Sequence, residues 1–240
     1  MNISRQVIKG NGFEVPCIIL TPQDLQGVAI VIHGYGGDKE EQLGLAYRIA
    51  EIGLKTCVID LRGHGQHALS LNEEVLLDVE ATIKYCRHFG KVVAIGHSLG
   101  GRLALISSSD FAIGISPALS TIFSEETQEI LKNVRGYRVR EHISGGLSEL
   151  MKKLPVVNFN DNTNKSIIYG SRDIPEIRNL CKNLKTKNLS VIEVDNAMHN
   201  DIFTLESTFQ SIIDKLKDYF PDTSNNHYRI NENSSVLKNV

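Results

Sequence analysis

Residues 92–101 of the 240-residue chain are VVAIGHSLGG, a short apolar run followed by the pattern Gly-x-Ser-x-Gly with Ser98 at its centre. Such a run predicts a strand buried on both faces of a parallel sheet. The next stretch, 99–107, has a helical pattern. The serine is therefore predicted to lie on a sharp turn between a strand and a helix, with its hydroxyl exposed at the carboxyl edge of the sheet.

The glycines around Ser98 make this prediction more specific. A serine on so tight a turn has a strained backbone, and its close neighbours must lack bulky side chains. Gly96 and Gly100 meet that requirement, and Gly101 leaves further room. Because glycine and serine are common, the five residues alone also fit a mere glycine-rich turn. Their position after a strand and before a helix favours a nucleophile.

Similar apolar runs recur along the chain and alternate with helical patterns. Helices are predicted from just after Asp38, from 72 towards 89, after Pro175, and over 201–219. This alternation predicts an α/β fold with a mostly parallel central sheet and helices on both of its faces. The predicted strands cover residues 3–9, 13–20, 28–33, 56–60, 92–95, 112–115, 166–169 and 191–194.

The alternation breaks once, between residues 118 and 165, the segment called the insertion below. It has two helical patterns, near 125–134 and 145–154, and no convincing strand. The sequence thus predicts one domain over residues 1–220 with a short helical cap insertion. Residues 221–240 are rich in Asn and Ser and are expected to be loosely ordered.

Composition excludes several function classes. The formal net charge is −2, so the chain lacks the basic balance that nucleic-acid binding usually requires. No apolar stretch approaches the roughly 20 residues that span a bilayer, and the N-terminus lacks the pattern of a secretory signal. The four widely spaced cysteines are expected to be buried free thiols. We therefore expect a cytoplasmic protein without integral membrane contact, and its oligomeric state stays open.

A serine hydroxyl needs a base to become nucleophilic at neutral pH. His199 lies directly after the last predicted strand and before the final helix, in the loop 195–201. A histidine in such a loop could equally be a surface residue. Its position favours the role of the base.

The imidazole needs a carboxylate that orients it and stabilises its charged form. Asp173, just past the strand 166–169, is the best candidate. Asp195 and Asp201 are too close to the histidine in sequence to be preferred, and Glu193 lies within a strand. The end of the preceding predicted strand could also carry the acid, but it reads Ser-Pro without a carboxylate.

A tetrahedral oxyanion needs hydrogen-bond donors. The backbone amide of Leu99 is expected to be one. The second is expected from the loop 33–37, HGYGG, whose glycines let the backbone approach a substrate, and we assign it to the amide of Tyr35. The Tyr35 ring is also expected to line the substrate-binding pocket.

Together these motifs resemble the α/β-hydrolase superfamily from about Gly27 to Leu205, and the order serine, acid, histidine matches. A further motif, DLRGHG at 60–65, is similar to a turn that family members often carry. The chain looks most like small serine esterases, acylglycerol lipases and serine-aminopeptidase-like hydrolases. A dienelactone-hydrolase-like branch is similar in its front half, but uses cysteine where this chain has Ser98. One departure is the pair at 66–67, Gln-His, where many relatives have a serine.

The resemblance implies a serine hydrolase that cleaves small-molecule carboxylic esters of small or medium acyl groups without a cofactor. The same triad could serve a thioesterase or a peptidase, and a hydrolase-fold protein could bind a ligand without turnover. His64 and His67 are spaced three apart, but no nearby cluster completes a metal site, and none is expected.

Overall fold

The computed structural model describes residues 1–141, 146–159, 164–185 and 189–221. The predicted loose tail lies outside the described residues except for Pro221. The strands are β1 (Asn2–Lys9), β2 (Glu14–Thr21), β3 (Gly27–Ile32), β4 (Leu54–Ile59), β5 (Val92–His97), β6 (Phe111–Ile115), β7 (Lys165–Gly170) and β8 (Ser190–Val194). They form one eight-stranded sheet with the order β1-β2-β4-β3-β5-β6-β7-β8.

The sheet is mostly parallel, as predicted. β1 pairs antiparallel with β2, and β2 pairs antiparallel with β4. All pairings from β4 through β3, β5, β6 and β7 to β8 are parallel. Along the chain, β4 is added on one side of β3 and β5 on its other side. The connections after β3 and β5 therefore leave in opposite directions, and the carboxyl ends of these two strands border a crevice where side chains from several loops meet.

Helices cover both faces of the sheet. Alternate residues of β3 point to opposite sides, with Ile30 in one core cluster and Val31 in the other. The helices are α1 (Leu43–Glu51), α2 (Leu76–Cys86), α3 (Leu99–Ile106), α4 (Glu125–Val134), α5 (Gly146–Lys153), α6 (Pro175–Leu184) and α7 (Glu206–Tyr219). The first cluster packs against α2, α3 and α5, and the second against α1 and α7.

Several helix ends differ from the sequence-based prediction. The helix expected after Asp38 begins with a 3₁₀ turn at Glu40–Gln42, and α1 starts only at Leu43. Asp38 Oδ1 does accept the amide of Glu41, at 3.0 Å. The Glu41 carboxylate pairs with Arg138 of the insertion. The predicted helix over 72–89 has 3₁₀ turns at both of its ends, Glu73–Val75 and Arg87–Phe89. In the predicted helix over 201–219, a 3₁₀ turn at Ile202–Thr204 precedes α7.

The insertion contains α4 and α5, and its described residues before β7 form no strand. α5 buries Leu150 and Met151 in the same core cluster as α2 and α3. The buried Arg102 of α3 donates to the carbonyls of Leu154 and Pro155, at 2.9 and 3.1 Å, and so holds the end of this segment. Over the described ranges, the chain has no helix of the length and apolarity that a bilayer crossing needs.

Candidate active site

Ser98 lies at the carboxyl edge of the sheet, between the end of β5 and the first residue of α3. Its φ of 53° and ψ of −113° are strained for a residue with a side chain. A Cβ on Gly96 would come within 2.1 Å of the Gly100 carbonyl oxygen, and one on Gly100 within 2.4 Å of the His33 carbonyl oxygen. These positions therefore accept only glycine, as the sequence pattern predicts.

The structure brings Ser98, His199 and Asp173 together, although they come from three separate loops. His199 Nε2 lies 3.1 Å from Ser98 Oγ and can accept its proton. His199 Nδ1 donates to Asp173 Oδ1 at 2.9 Å. Ser98 and Asp173 are buried, and the His199 side chain is 11% exposed. This chain of hydrogen bonds has the geometry that activates a serine hydroxyl.

Ser116 supports Asp173 and was missed by sequence reasoning. Its hydroxyl donates to Asp173 Oδ2, while the Ile174 amide donates to Oδ1 at 2.8 Å. Burial raises the pKa of the Asp173 carboxyl, but its hydrogen-bond donors outweigh that effect and hold the pKa below its ordinary value. The carboxylate therefore stays charged at neutral pH.

The other nearby carboxylates turn away from His199. Asp195 Oδ1 accepts the amide of the following residue at 2.9 Å and the Ser171 hydroxyl at 3.3 Å. Asp201 Oδ1 accepts the Met198 amide at 2.8 Å. These contacts shape the loop that carries the histidine and leave Asp173 as its partner.

His97 also positions the loop of His199. Its Nε2 donates to the His199 carbonyl at 2.8 Å, and the two rings lie 4.8 Å apart. Burial, and then the neighbouring His199, lower the pKa of His97 well below its ordinary value. His97 is thus a neutral donor that holds the backbone beside the base.

The loop after β3 passes close to Ser98. The Gly37 amide donates to the Gly34 carbonyl at 3.0 Å, and Gly36 has a φ of +70°, so Tyr35 and Gly36 are the central residues of a tight turn. A Cβ on Gly34 would lie 3.2 Å from Ser98 Cβ. The loop backbone therefore lies beside Ser98.

His64 fixes this loop and is a second residue that sequence reasoning missed. Its Nε2 accepts the Gly36 amide at 3.0 Å, and its Nδ1 donates to the Arg62 carbonyl at 3.0 Å. Burial lowers the pKa of His64 to about 3, so the ring is neutral and remains an acceptor. The motif at 60–65 contains this histidine, but only the fold shows which amide it holds.

The Tyr35 side chain lies over the same crevice, half-buried, with its hydroxyl donating to the Glu141 carboxylate. Burial, and then this carboxylate, raise the pKa of the hydroxyl above its ordinary value. Its ring is 5.9 Å from that of His64, edge to face. Tyr35 therefore joins the loop after β3 to the insertion.

Neither cysteines nor histidines offer a competing site among the described residues. All four cysteines are buried free thiols, and burial raises the pKa of Cys17 and of Cys181 to about 12. His67 Nδ1 accepts the Leu69 amide at 3.1 Å. Within the described ranges, no cluster of three His, Cys, Asp or Glu side chains could hold a metal ion.

Residues 29–159, just over half of the chain, match the alpha/beta hydrolase family. The chain belongs to this family, and the family and fold inferred from its motifs are confirmed.

Two relatives align with part of the sequence. A protein of Haemophilus influenzae whose name proposes an esterase or lipase is 38% identical over 32% of this chain and 28% of its own length. The sn-1-specific diacylglycerol lipase ABHD11 of Danio rerio is 26% identical over 50% of this chain and 38% of its own length. The chain therefore spans less than half the length of either relative.

Solved structures are similar over nearly the whole chain. The α/β hydrolase GrgF from Penicillium superposes with a TM-score of 0.74 over 92% of this chain and 99% of that one, at 14% identity. Est1E from Butyrivibrio proteoclasticus, with ferulic acid bound, gives a TM-score of 0.65 over 89% and 97%, at 18% identity. At such low identities the likeness shows the shared fold.

Proposed function

We propose that the protein is a serine hydrolase that cleaves carboxylic esters of small or medium acyl groups through an acyl-enzyme on Ser98. The observation that carries this proposal is the hydrogen-bonded series from Ser98 Oγ through His199 to Asp173, with spacings of 3.1 and 2.9 Å. The names of the two relatives, an esterase or lipase and a diacylglycerol lipase, support an ester as the substrate.

In the first step His199 Nε2 takes the proton of the Ser98 hydroxyl while Oγ attacks the ester carbonyl carbon. The carbonyl electron pair moves to oxygen and forms the oxyanion. When the ester C–O bond breaks, the leaving oxygen takes the proton from His199 and departs as the alcohol. Asp173, ionised and buried, stabilises the imidazolium that exists between these events.

In the second step a water molecule gives a proton to His199 and attacks the acyl carbon. The bond to Ser98 Oγ breaks, Oγ recovers the proton, and the carboxylic acid is released. Throughout, the amides of Leu99 and Tyr35 are proposed to hold the oxyanion. The helix α3 begins at Leu99, so its positive end also faces that charge. Removing one such donor typically slows catalysis by about 100- to 1,000-fold.

The insertion is proposed to act as a cap on the single domain. Arg135 on this segment comes so close to the loop after β3 that a Cβ on Gly36 would lie 2.6 Å from its Cβ. The insertion thus covers the site from the solvent side and supports a pocket of limited size.

A fluorophosphonate probe, which phosphonylates activated serines, tests the nucleophile. We expect labelling of the wild-type protein, none of Ser98→Ala, and full labelling of the control Ser211→Ala on α7, outside the site. A folded wild-type protein that is not labelled would refute the enzyme and favour a ligand-binding protein. Labelling that persists in Ser98→Ala would refute the choice of nucleophile.

The ester bond is tested by a panel of p-nitrophenyl esters of graded chain length, with a thioester and an aminoacyl amide alongside. We expect the highest kcat/KM for an ester of short or medium chain. A higher kcat/KM for the thioester or the amide would overturn the proposed substrate class and leave the nucleophile in place.

A further inference from the structure

Three cavities near Ser98 share lining residues with one another. The smallest, called the nucleophile cavity, has a volume of about 20 Å³, and its lining includes Ser98, His199, Tyr35 and Leu131. This volume holds little more than one water molecule. A substrate that reaches Ser98 must therefore extend into the neighbouring cavities, which determine what the site accepts.

The second cavity, called the His199-side cavity, lies between α4 and the start of α6 and has a volume of about 220 Å³. It shares four lining residues with the nucleophile cavity, namely Leu131, Arg135, His199 and Asn200. Its other apolar walls are Ile130, Ile174 and Pro175. Ile130 is 51% exposed and forms part of this wall.

The third cavity, called the Tyr35-side cavity, lies on the other side of Leu131 and has a volume of about 630 Å³. It shares Tyr35 and Leu131 with the nucleophile cavity and does not include His199. Phe123, Leu147 and Ser148 also line it. Leu131 thus lies between two cavities that differ in volume, and His199 lines only the smaller of them.

The helix α4, which carries Leu131, is held at both of its ends. At its start, the Ser124 amide and the Thr127 hydroxyl donate to Glu176 Oε1 of α6, at 2.9 and 3.2 Å. After its end, Arg138 pairs with Asp38 at 3.0 Å. Both cavities therefore have walls that exist before a ligand arrives, as small-molecule sites usually do.

The chemistry of the proposed reaction assigns a part of the ester to each cavity. His199 must protonate the leaving oxygen, so that oxygen lies within hydrogen-bond distance of Nε2. The group attached to it then extends into the space that His199 lines, and the acyl chain extends to the opposite side. We propose that the alcohol part of the ester binds in the His199-side cavity and the acyl part in the Tyr35-side cavity. This assignment rests on the proposed ester hydrolysis.

Cavity size defines the class of alcohol. An apolar protein cavity of about 150 Å³ binds benzene, so about 220 Å³ holds a ring with one or two further groups. Four of its lining residues are apolar, namely Ile130, Leu131, Ile174 and Pro175, and the other six, among them Glu126 and Arg135, carry polar groups. The preferred alcohol has about seven or eight non-hydrogen atoms, as benzyl alcohol does, and its ring packs against the apolar residues.

The test fills the His199-side cavity and measures kcat/KM for benzyl acetate relative to methyl acetate. Ile130→Trp is expected to lower that ratio by at least about 10-fold, since pocket contacts of one methylene alone change selectivity by about 10- to 200-fold. The matched control Ile122→Trp, at a 75% exposed position outside the three cavities, is expected to leave the ratio unchanged. Ile130→Ala, which enlarges the cavity, is expected to raise kcat/KM for naphthylmethyl acetate relative to benzyl acetate.

A reciprocal variant separates the two sides. Ser148→Trp is expected to shift the preferred acyl length of methyl esters towards shorter chains while the benzyl-to-methyl ratio of acetates stays as in the wild type. The assignment is overturned if Ile130→Trp changes acyl-length preference and spares the benzyl-to-methyl ratio, or if the ratio responds only to Ser148→Trp.

A binding measurement distinguishes this inference from the proposed function. In the Ser98→Ala protein, 4-fluorobenzyl alcohol is followed by ¹⁹F NMR. We expect saturable line broadening that Ile130→Trp abolishes and Ile122→Trp retains. Broadening unaffected by Ile130→Trp overturns the cavity assignment. Loss of broadening in that variant, combined with no fluorophosphonate labelling of the wild type, supports the cavity as an alcohol site and refutes the hydrolase.

Discussion

Replacing the buried His64 should change how the free energy of unfolding depends on pH, by an amount that follows from the pKa of this histidine. The side chain is fully buried, accepts the Gly36 amide and donates to the Arg62 carbonyl. His64→Gln keeps an acceptor and a donor but removes the titratable ring. At pH 7 the variant should lose no more than about 1–3 kcal/mol of unfolding free energy, the cost of one imperfectly paired buried group.

The informative quantity is the pH dependence of stability. The pKa of His64 is about 3 in the folded protein and near its ordinary value of 6.5 in the unfolded chain. Between these values the unfolded state binds a proton that the folded state does not, so stability falls as pH falls from 6.5 towards 3. Between pH 7 and pH 4, the titration of His64 should lower the free energy of unfolding of the wild type by about 3 kcal/mol. The His64→Gln variant lacks this group and should not show that loss.

Urea unfolding at pH 7, 5.5 and 4 measures this difference. Buried histidines remote from His64 are present in both proteins and cancel in the comparison. The control His88→Gln replaces an exposed histidine and should keep the wild-type pH dependence. An equal loss of stability from pH 7 to pH 4 in His64→Gln and the wild type would refute the argument that a neutral, buried His64 holds the loop.

Two further predictions concern the acid. Asp173→Asn should lower kcat by about 10⁴-fold because the imidazole then loses its correct tautomer and its partner charge; near-normal ester turnover would move the acid to Asp195. Ser116→Ala should lower the unfolding free energy at pH 7 by about 1.5–3 kcal/mol, the value of a hydrogen bond to a charged group. Unchanged urea midpoints in Ser116→Ala would contradict the hydroxyl's role as a donor to Asp173.

Most of the sheet could be predicted because its signals are local. A strand buried on both faces must be apolar at nearly every position, so the run beginning at Gly27 marks β3 without knowledge of its neighbours. The turn around Ser98 was equally predictable, since its glycines are required by contacts within a few residues. Helix ends were predicted less well. The Glu41 side chain, for example, pairs with a residue 97 positions away rather than with its own helix start.

The residues that support the site were not predictable for the same reason. Ser116 reaches Asp173 across 57 positions, and His64 reaches Gly36 across 28. A serine at the end of a strand and a histidine in a glycine-rich turn are both ordinary in sequence. Only the pairing of β3 with β4, and of β6 with β7, brings each beside its partner.

By itself the sequence determined the alternation of strands and helices, the strained turn at Ser98, and the chain order of serine, acid and histidine, because these depend on hydrophobic period and local backbone sterics. The tertiary structure decided which carboxylate faces His199, which side chains hold the loop of Tyr35, and how the insertion divides the space near Ser98. Those features depend on distances between segments remote in sequence, and such distances exist only once the sheet has assembled.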